Sequence, residues 1–259
     1  MSDLLYDVAD GVATITLNRP EKRNALSLDM IRSWAERLGE AQADEAVRVI
    51  VVTGADGAFC AGADFTLLGA DPTPLEQKEV LEQGVWRIPR ALENVDKPVI
   101  GALNGVAVGL GFDLALMCDL RLAARSAKFG ESYVKIGLVP GGGGCFLLPR
   151  LIGVPRALDL LLTGDFIDAD RALQYGLLNS VHEDDAFRDA VADYAARLAA
   201  ASPIAVRMIK RTVYQSLDCD LRTSLETISS HLAVYKTTHD SREAFAAFRE
   251  KRVPAFQGR

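Results

Sequence analysis

Histidine is nearly absent: His182, His231 and His239 are the only three in 259 residues, and none lies beside the glycine-rich segments described below. A Ser-His-Asp nucleophile or a histidine-held metal therefore has little material to work with, and surface or helix-packing roles are expected for all three. Cysteine is scarce as well. Cys60, Cys118, Cys145 and Cys219 are far apart, form no CxxC pair and sit in apolar or glycine-rich settings. They are expected to be small core residues, and no metal site is expected. No apolar run approaches the roughly 20 residues that span a bilayer. The start, MSDLLYDVADG, carries acids early and lacks the apolar stretch of a secretory leader. A reduced, cytoplasmic setting without a membrane partner is expected. Basic charge is also in deficit: 29 Lys and Arg stand against 35 Asp and Glu, interspersed along the chain. This balance argues against a nucleic-acid partner, so an anionic ligand would have to find a local basic pocket.

What is present is an ordinary globular composition, 49% hydrophobic and 25% charged, long enough to bury a full core. Leu5 to Ala9 and Val12 to Leu17 flank Asp10-Gly11 and read as a hairpin with a type I′ turn. Ser27 opens a helix carrying Met30, Ile31, Trp34 and Leu38 at helical spacing, with Gly39 near its end. Val47 to Thr53, Val99 to Leu103, Leu120 to Ala123 and Leu178 to His182 are branched, apolar runs that predict buried strands. Helices between such strands imply an α/β core. From about Ala186 the strands cease and helical patterns run to the C-terminus.

Chemistry is most plausible in the glycine-rich turns. Ala58-Phe59-Cys60-Ala61-Gly62-Ala63-Asp64 follows the strand ending at Thr53, and its small residues allow close approach of backbone N–H groups to an anion, although taken alone a tight packing connection explains them better. Asn104 through Asp113 follows Val99 to Leu103 and leads into a helix over Leu114 to Cys118. Asp113, in the first helical turn, could simply complement the helix dipole. Gly109-Leu110-Gly111 is half a dinucleotide fingerprint, but Leu114 stands where the third glycine belongs. Phe129 through Pro140 is followed by the four glycines Gly141 to Gly144, which lack the Lys-Ser/Thr ending of a phosphate loop. Close passage of a substrate or of another backbone explains them better.

Taken in order, Asn18-Arg19-Pro20 through Asn24-Ala25-Leu26, Phe59 to Asp64, Asn104-Gly105, Cys118-Asp119, Gly137-Leu138-Val139-Pro140, Leu162-Thr163-Gly164 and Phe248 to Arg252 resemble the crotonase superfamily, the enoyl-CoA hydratase/isomerase family, essentially end to end. The resemblance implies a crotonase-like α/β spiral of ββα units over residues 1–195, holding an acyl-CoA site. A helical C-terminal oligomerisation region over 196–259 would assemble trimers or hexamers. It implies an acyl-CoA thioester as partner, with coenzyme A as part of the substrate and no other cofactor. The thioester oxygen would sit between the backbone N–H groups of Ala63 and Leu110, and Leu110 replaces a glycine common there. Substrate contacts fall on Arg23, Ala25, Ala61, Asp64, Gly109 and Lys251, with Lys22 and Arg252 as further cations near the ligand.

Of the two glutamates that hydratases of this family use, the first maps onto Asp113 and the second onto Tyr133. A phenol of ordinary pKa near 10 is a poor base, though it can hold water. Glu131 could substitute if its backbone is extended, and would point away if that segment is helical. Hydration of a 2-enoyl-CoA is the leading expectation. Double-bond isomerisation with Asp113 as sole base, or acyl-CoA binding without catalysis, are the alternatives.

Overall fold

Asp10 and Gly11 both take positive φ, 49° and 79°, the left-handed pair a type I′ turn requires. They join β1 (Leu4–Ala9) to β2 (Val12–Leu17) in antiparallel register in the computed structural model. The structure describes residues 2–64, 66 and 73–259. Ser27 caps α1 (Leu28–Ala43), its hydroxyl accepting from the Met30 N–H, and Met30, Ile31, Trp34 and Leu38 form the buried stripe. The helix does not stop at Gly39 but continues to Ala43, burying Ala41. Packing there outweighs the penalty of about 1 kcal/mol for a glycine inside a helix.

Strand pairs then alternate with helices. β3 (Val49–Gly54) and β4 (Ala58–Cys60) precede α2 (Pro74–Glu79) and α3 (Arg87–Glu93), which are joined by a π-helical turn over Val80–Val85. β5 (Val99–Leu103) and β6 (Val106–Val108) precede α4 (Leu110–Leu116). After β7 (Leu120–Ala124) and β8 (Lys128–Gly130) come a 3-10 turn over Ser132–Ile136, α5 (Gly144–Ile152) and α6 (Val154–Thr163). β9 (Phe166–Asp168), α7 (Ala169–Tyr175) and β10 (Ser180–His182) complete the series. β3, β5 and β7, the first strands of the three central pairs, join β1, β2 and β10 in a six-stranded sheet, β1-β2-β3-β5-β7-β10, and their partners β4, β6 and β8 join β9 in a four-stranded sheet, β4-β6-β8-β9. This is the expected spiral of ββα units. The helix over Leu114 to Cys118 starts earlier than its sequence suggests, at Leu110, because Gly109 turns the chain directly into it with φ 50°.

The small sheet positions the site. β4, β6 and β8 run parallel, with Ala58 opposite Val106 and Val108 opposite Gly130. Their C-terminal ends lie side by side, so the residues after Cys60, Val108 and Gly130 emerge together. Phe112 of α4 stacks on Phe129 of β8 with ring centroids 5.6 Å apart, locking helix to sheet. Such a pair adds about 1 kcal/mol beyond its area burial.

α8 (Phe187–Ala199) lays Val191, Ala195 and Ala199 on the large sheet, against Val51, Ile100 and Leu122. Position 195/196 lies inside this helix, and the helices beyond it begin with α9 (Pro203–Ser216), followed by α10 (Leu221–Tyr235) and α11 (His239–Glu250). Buried Asp240 clasps the C-terminal tail, accepting from the backbone of Gln257 and Gly258 and from the Ser202 hydroxyl. Ala247 is buried within the chain, whereas Phe245 and Phe248 are exposed at 62% and 85%. The core expectation for the cysteines holds for Cys60 and Cys118 only. Cys145 and Cys219 are exposed, the first in the opening turn of α5 and the second in the turn between α9 and α10. No helix among the described residues is long and apolar enough to cross a membrane.

Candidate active site

A parallel bridge pairs Leu26 with Ala63. Its hydrogen bonds come from the flanks of Ala63: the Leu26 N–H donates to Gly62 O at 2.8 Å and the Asp64 N–H to Leu26 O at 2.9 Å. That alternation turns the N–H of Ala63 away from Leu26. Leu110 is the first residue of α4, so its N–H has no intrahelical acceptor. The two segments are in contact, since a Cβ on Gly62 would stand 3.7 Å from the Leu110 nitrogen. The segments that carry Ala63 and Leu110 therefore adjoin where β4 and β6 end.

Asp113, one turn into α4, is fully buried. Its Oδ2 accepts from the Tyr133 hydroxyl at 2.6 Å and from the Gly142 N–H at 3.0 Å. Glu131 is fully buried too. It precedes the 3-10 turn with φ −92° and ψ 66°, so its side chain is not carried outward by that turn. A Cβ on Gly144 would collide with Asp113 Oδ1 and stand 2.8 Å from Glu131 Oε1, which places both carboxyl groups against the same bare face of the glycine. The glycine run thus lets the backbone pass over a pair of acids. Asp113, Glu131 and Tyr133 form one cluster, and Tyr133 does not displace Glu131 from it.

Burial raises both acids. Burial is the largest influence on Asp113, lifting it above the usual carboxylate range against the opposing hydrogen bonds from Tyr133, Gly142, Gly144 and Glu131. Glu131 is pushed up further, by burial first and then by the charge of Asp113. Two carboxylates this close, away from water, do not both ionise at neutral pH, and the pair keeps one proton. The hydrogen bonding agrees. With both groups ionised, Asp113 Oδ1 and both Glu131 oxygens find no partner among the described residues, whereas a proton on Glu131 supplies a donor toward Asp113. Burial and the Asp113 charge also hold Tyr133 as a neutral phenol.

Arg19, so far only a member of the Asn18-Arg19-Pro20 motif, sits behind the Arg23–Ala25 turn. It donates to Ala25 O at 2.8 Å and pairs with Asp64 at 3.2 Å, tying two of the expected contact residues together. Ala61 joins them through its N–H to Arg23 O at 2.9 Å. Asn24 is buried with φ 58°, donates to Ala55 O and Ala58 O, and accepts from the Arg19 N–H. Asn24→Ala strands these backbone groups and is expected to cost about 2–4 kcal/mol, read as a lowered urea midpoint at unchanged m-value. Lys22, Arg23 and Lys251 are exposed, and no hydrogen bond among the described residues ties Lys251, which caps the end of α11, to the Arg23–Ala25 turn. Arg252 is engaged by Glu243 at 2.9 Å and by Glu250 at 2.7 Å, so it is not a free cation. The histidines lie outside the cluster: His182 meets Ser180, His231 meets Thr212, and His239 begins α11.

A model of the family described as enoyl-CoA hydratase/isomerase matches residues 7–259. The chain belongs to the enoyl-CoA hydratase/isomerase family. It is 38% identical to (E)-benzylidenesuccinyl-CoA hydratase of Thauera aromatica, over 97% of this chain and 98% of that one. Identity to 1,2-epoxyphenylacetyl-CoA isomerase of Escherichia coli (strain K12) is 36%, over 100% of both chains. The crystal structure of enoyl-CoA hydratase from Bacillus anthracis superimposes with a TM-score of 0.92 at 35% identity, again over 100% of both chains. The chain is accordingly an enzyme of the hydratase/isomerase kind, and the superposition makes its spiral the fold of that family.

Proposed function

We propose that this enzyme hydrates a 2-enoyl-CoA, holding the thioester oxygen between the N–H groups of Ala63 and Leu110 and moving a proton with Asp113. The observation that carries the reading is the buried cluster of Asp113, Glu131 and Tyr133 beside the start of α4, where the Leu110 N–H has no intrahelical acceptor. Donors fixed where negative charge develops are worth about 3–4 kcal/mol each in lowering a barrier. An enolate formed there accepts or loses its α-proton through the neighbouring acid. Gly109 gives the acyl chain a flat backbone surface beside Tyr133. The substrate brings coenzyme A, and the reaction needs no further cofactor and no metal. Isomerisation remains the second reading, favoured by the burial of Asp113 away from bulk water. A panel of CoA thioesters differing in chain length and unsaturation, followed by mass spectrometry, tests the proposal. Gain of one water supports hydration, a rearranged product of unchanged mass supports isomerisation, and no turnover of any bound thioester refutes both.

Coenzyme A phosphates need cations that a chain of net charge −6 supplies only locally. The proposed contacts are Arg23 beside Ala25, Ala61 and Asp64, with Lys251 reaching the ligand of a neighbouring subunit in a trimer or hexamer. Exposed Phe245 and Phe248 on α11 suit such an interface. Light scattering should show a trimer or hexamer at micromolar concentration, and a monomer would remove the interface. Lys251→Ala is expected to raise KM about tenfold at low salt with kcat nearly unchanged, since one lost phosphate contact of about 1.4 kcal/mol is a factor of ten. Unchanged KM would return Lys251 to the solvated surface. A cytoplasmic location fits these properties.

A further inference from the structure

Asp113 is sealed. Its carboxylate is covered by Tyr133 and by the Gly142 backbone, with the Leu110 side chain crowding the same glycine, and the residue exposes none of its surface. Tyr133 is the member of the cluster that is only partly buried. Its ring lies over the Gly109 backbone, where a Cβ would stand 3.5 Å from Cζ, directly before the Leu110 donor. The phenol therefore separates the acid from the place where the thioester carbonyl is proposed to sit.

Building on the proposed acyl-CoA reaction, we infer that Asp113 does not touch the substrate: protons cross between them through the Tyr133 hydroxyl, while Glu131 keeps its own proton and holds Asp113 in place. In the forward step an O–H bond of the attacking water breaks and its proton bonds to Tyr133 Oη. The original Oη–H bond breaks at the same time, and that proton bonds to Asp113 Oδ2. The electron pair left on the water oxygen forms the new bond to the β-carbon, and the double-bond electrons move into the thioester enolate. The relay then runs backward. Asp113 returns its proton to Tyr133, and Tyr133 passes its other proton to the α-carbon. Water has been added, and every protein group has regained its starting proton. An isomerase would use the same relay between two carbons.

This assigns Tyr133 as the catalytic residue and Asp113 and Glu131 as positioning residues behind it. A Glu131 carboxyl that donates to Oδ1, which has no other partner among the described residues, leaves Oδ2 to Tyr133 and the Gly142 N–H. The phenol stays protonated at rest, so it works as a conduit and never as a free phenolate. The titratable groups facing the cluster are these three side chains and the Cys145 thiol, itself raised by burial and by both acids.

Two measurements test the relay, and only one needs turnover. Infrared spectra of the ligand-free protein at pH 7.5 should show a protonated-carboxyl stretch that Glu131→Gln removes. Absence of that band overturns the arrangement whether or not any thioester reacts. With the enoyl-CoA thioester turned over fastest in the panel, Tyr133→Phe should lower kcat at least about a hundredfold with KM nearly unchanged. Tyr133→Phe combined with Asp113→Asn should be no slower than the worse single variant, as expected for groups acting in series. Glu131→Leu should move the acid limb of kcat/KM to higher pH by removing a donor, and Glu131→Gln should move it back. Retention of more than a third of kcat in Tyr133→Phe shows that Asp113 reaches the substrate directly. Loss of activity in Glu131→Gln equal to that in Glu131→Leu makes Glu131 a proton donor in its own right. Either result overturns the relay while leaving the acyl-CoA reading intact. Failure of every thioester to bind removes that reading instead.

Discussion

Asp113→Asn is expected to lower turnover at least about a hundredfold, the scale of lost general acid–base catalysis, while thioester affinity stays nearly constant. The asparagine is almost isosteric and can still accept from the Tyr133 hydroxyl and the Gly142 N–H that hold Oδ2. What it loses is a site for the proton. The pH dependence should carry the signature of burial. Because burial raises Asp113, activity should fall on acidification well before an ordinary aspartate protonates. Stability should run the other way. Both acids have folded-state pKa values above their unfolded ones, so the folded protein binds more protons. The stability they contribute is fully present below the ordinary carboxylate range of about 4 and is lost as pH rises through their raised values. Asp113→Asn should therefore melt higher than the wild type at pH 8, measured by calorimetry. A variant that is both fully active and no more stable would show Asp113 to be a partner of the helix dipole and nothing more.

Gly144→Ala should be nearly as damaging, although the substitution adds a single methyl group. The new Cβ would collide with Asp113 Oδ1 and crowd Glu131 Oε1 at 2.8 Å. Either the start of α5 shifts or Asp113 swings off Tyr133. Overpacking of this kind costs about 1–3 kcal/mol, and displacing a catalytic group by an ångström can cost about a hundredfold in rate. The expected outcome is a kcat lowered by about that factor, with a lower melting temperature and an unchanged KM. Gly137→Ala makes a useful contrast: its Cβ would meet nothing within 4 Å, although its φ of 71° adds local strain. Full activity in Gly144→Ala would mean that the acid pair tolerates displacement.

The framework of the fold was legible wherever one local signal dominated. Asp10-Gly11 demands a type I′ turn, Ser27 caps a helix whose buried stripe is written at helical spacing, and the branched runs around Val52, Ile100 and Leu122 have no other place than the sheet. Ala63 and Leu110 are singled out by the family resemblance alone, and the helix start at Leu110 is hidden in the glycine-rich run before Leu114. What could not be read locally depends on partners distant in sequence. Whether Glu131 turns inward is decided by ψ 66° at a strand exit and by Gly144 passing over it, neither of which appears in the residues beside it. Arg19 enters only as part of the Asn18-Arg19-Pro20 motif, because its grip on Asp64 spans 45 positions. Exposure of Cys145 and Cys219 follows from which side of a helix or turn they occupy. Ala247 and Phe248 are sequence neighbours, but helical geometry sends one into the chain and leaves the other in solvent.

Exchange at the α-carbon tests the central claim, a thioester enolate held by Ala63 and Leu110 and served by Asp113. The thioesters that bind would be incubated with the enzyme in deuterium oxide and followed by mass spectrometry, alongside Asp113→Asn. Deuterium should enter the α-position of the bound acyl group with the wild type, at a rate at least about a hundredfold above that of the variant. Binding without any deuterium uptake, or equal uptake by the two proteins, would contradict it.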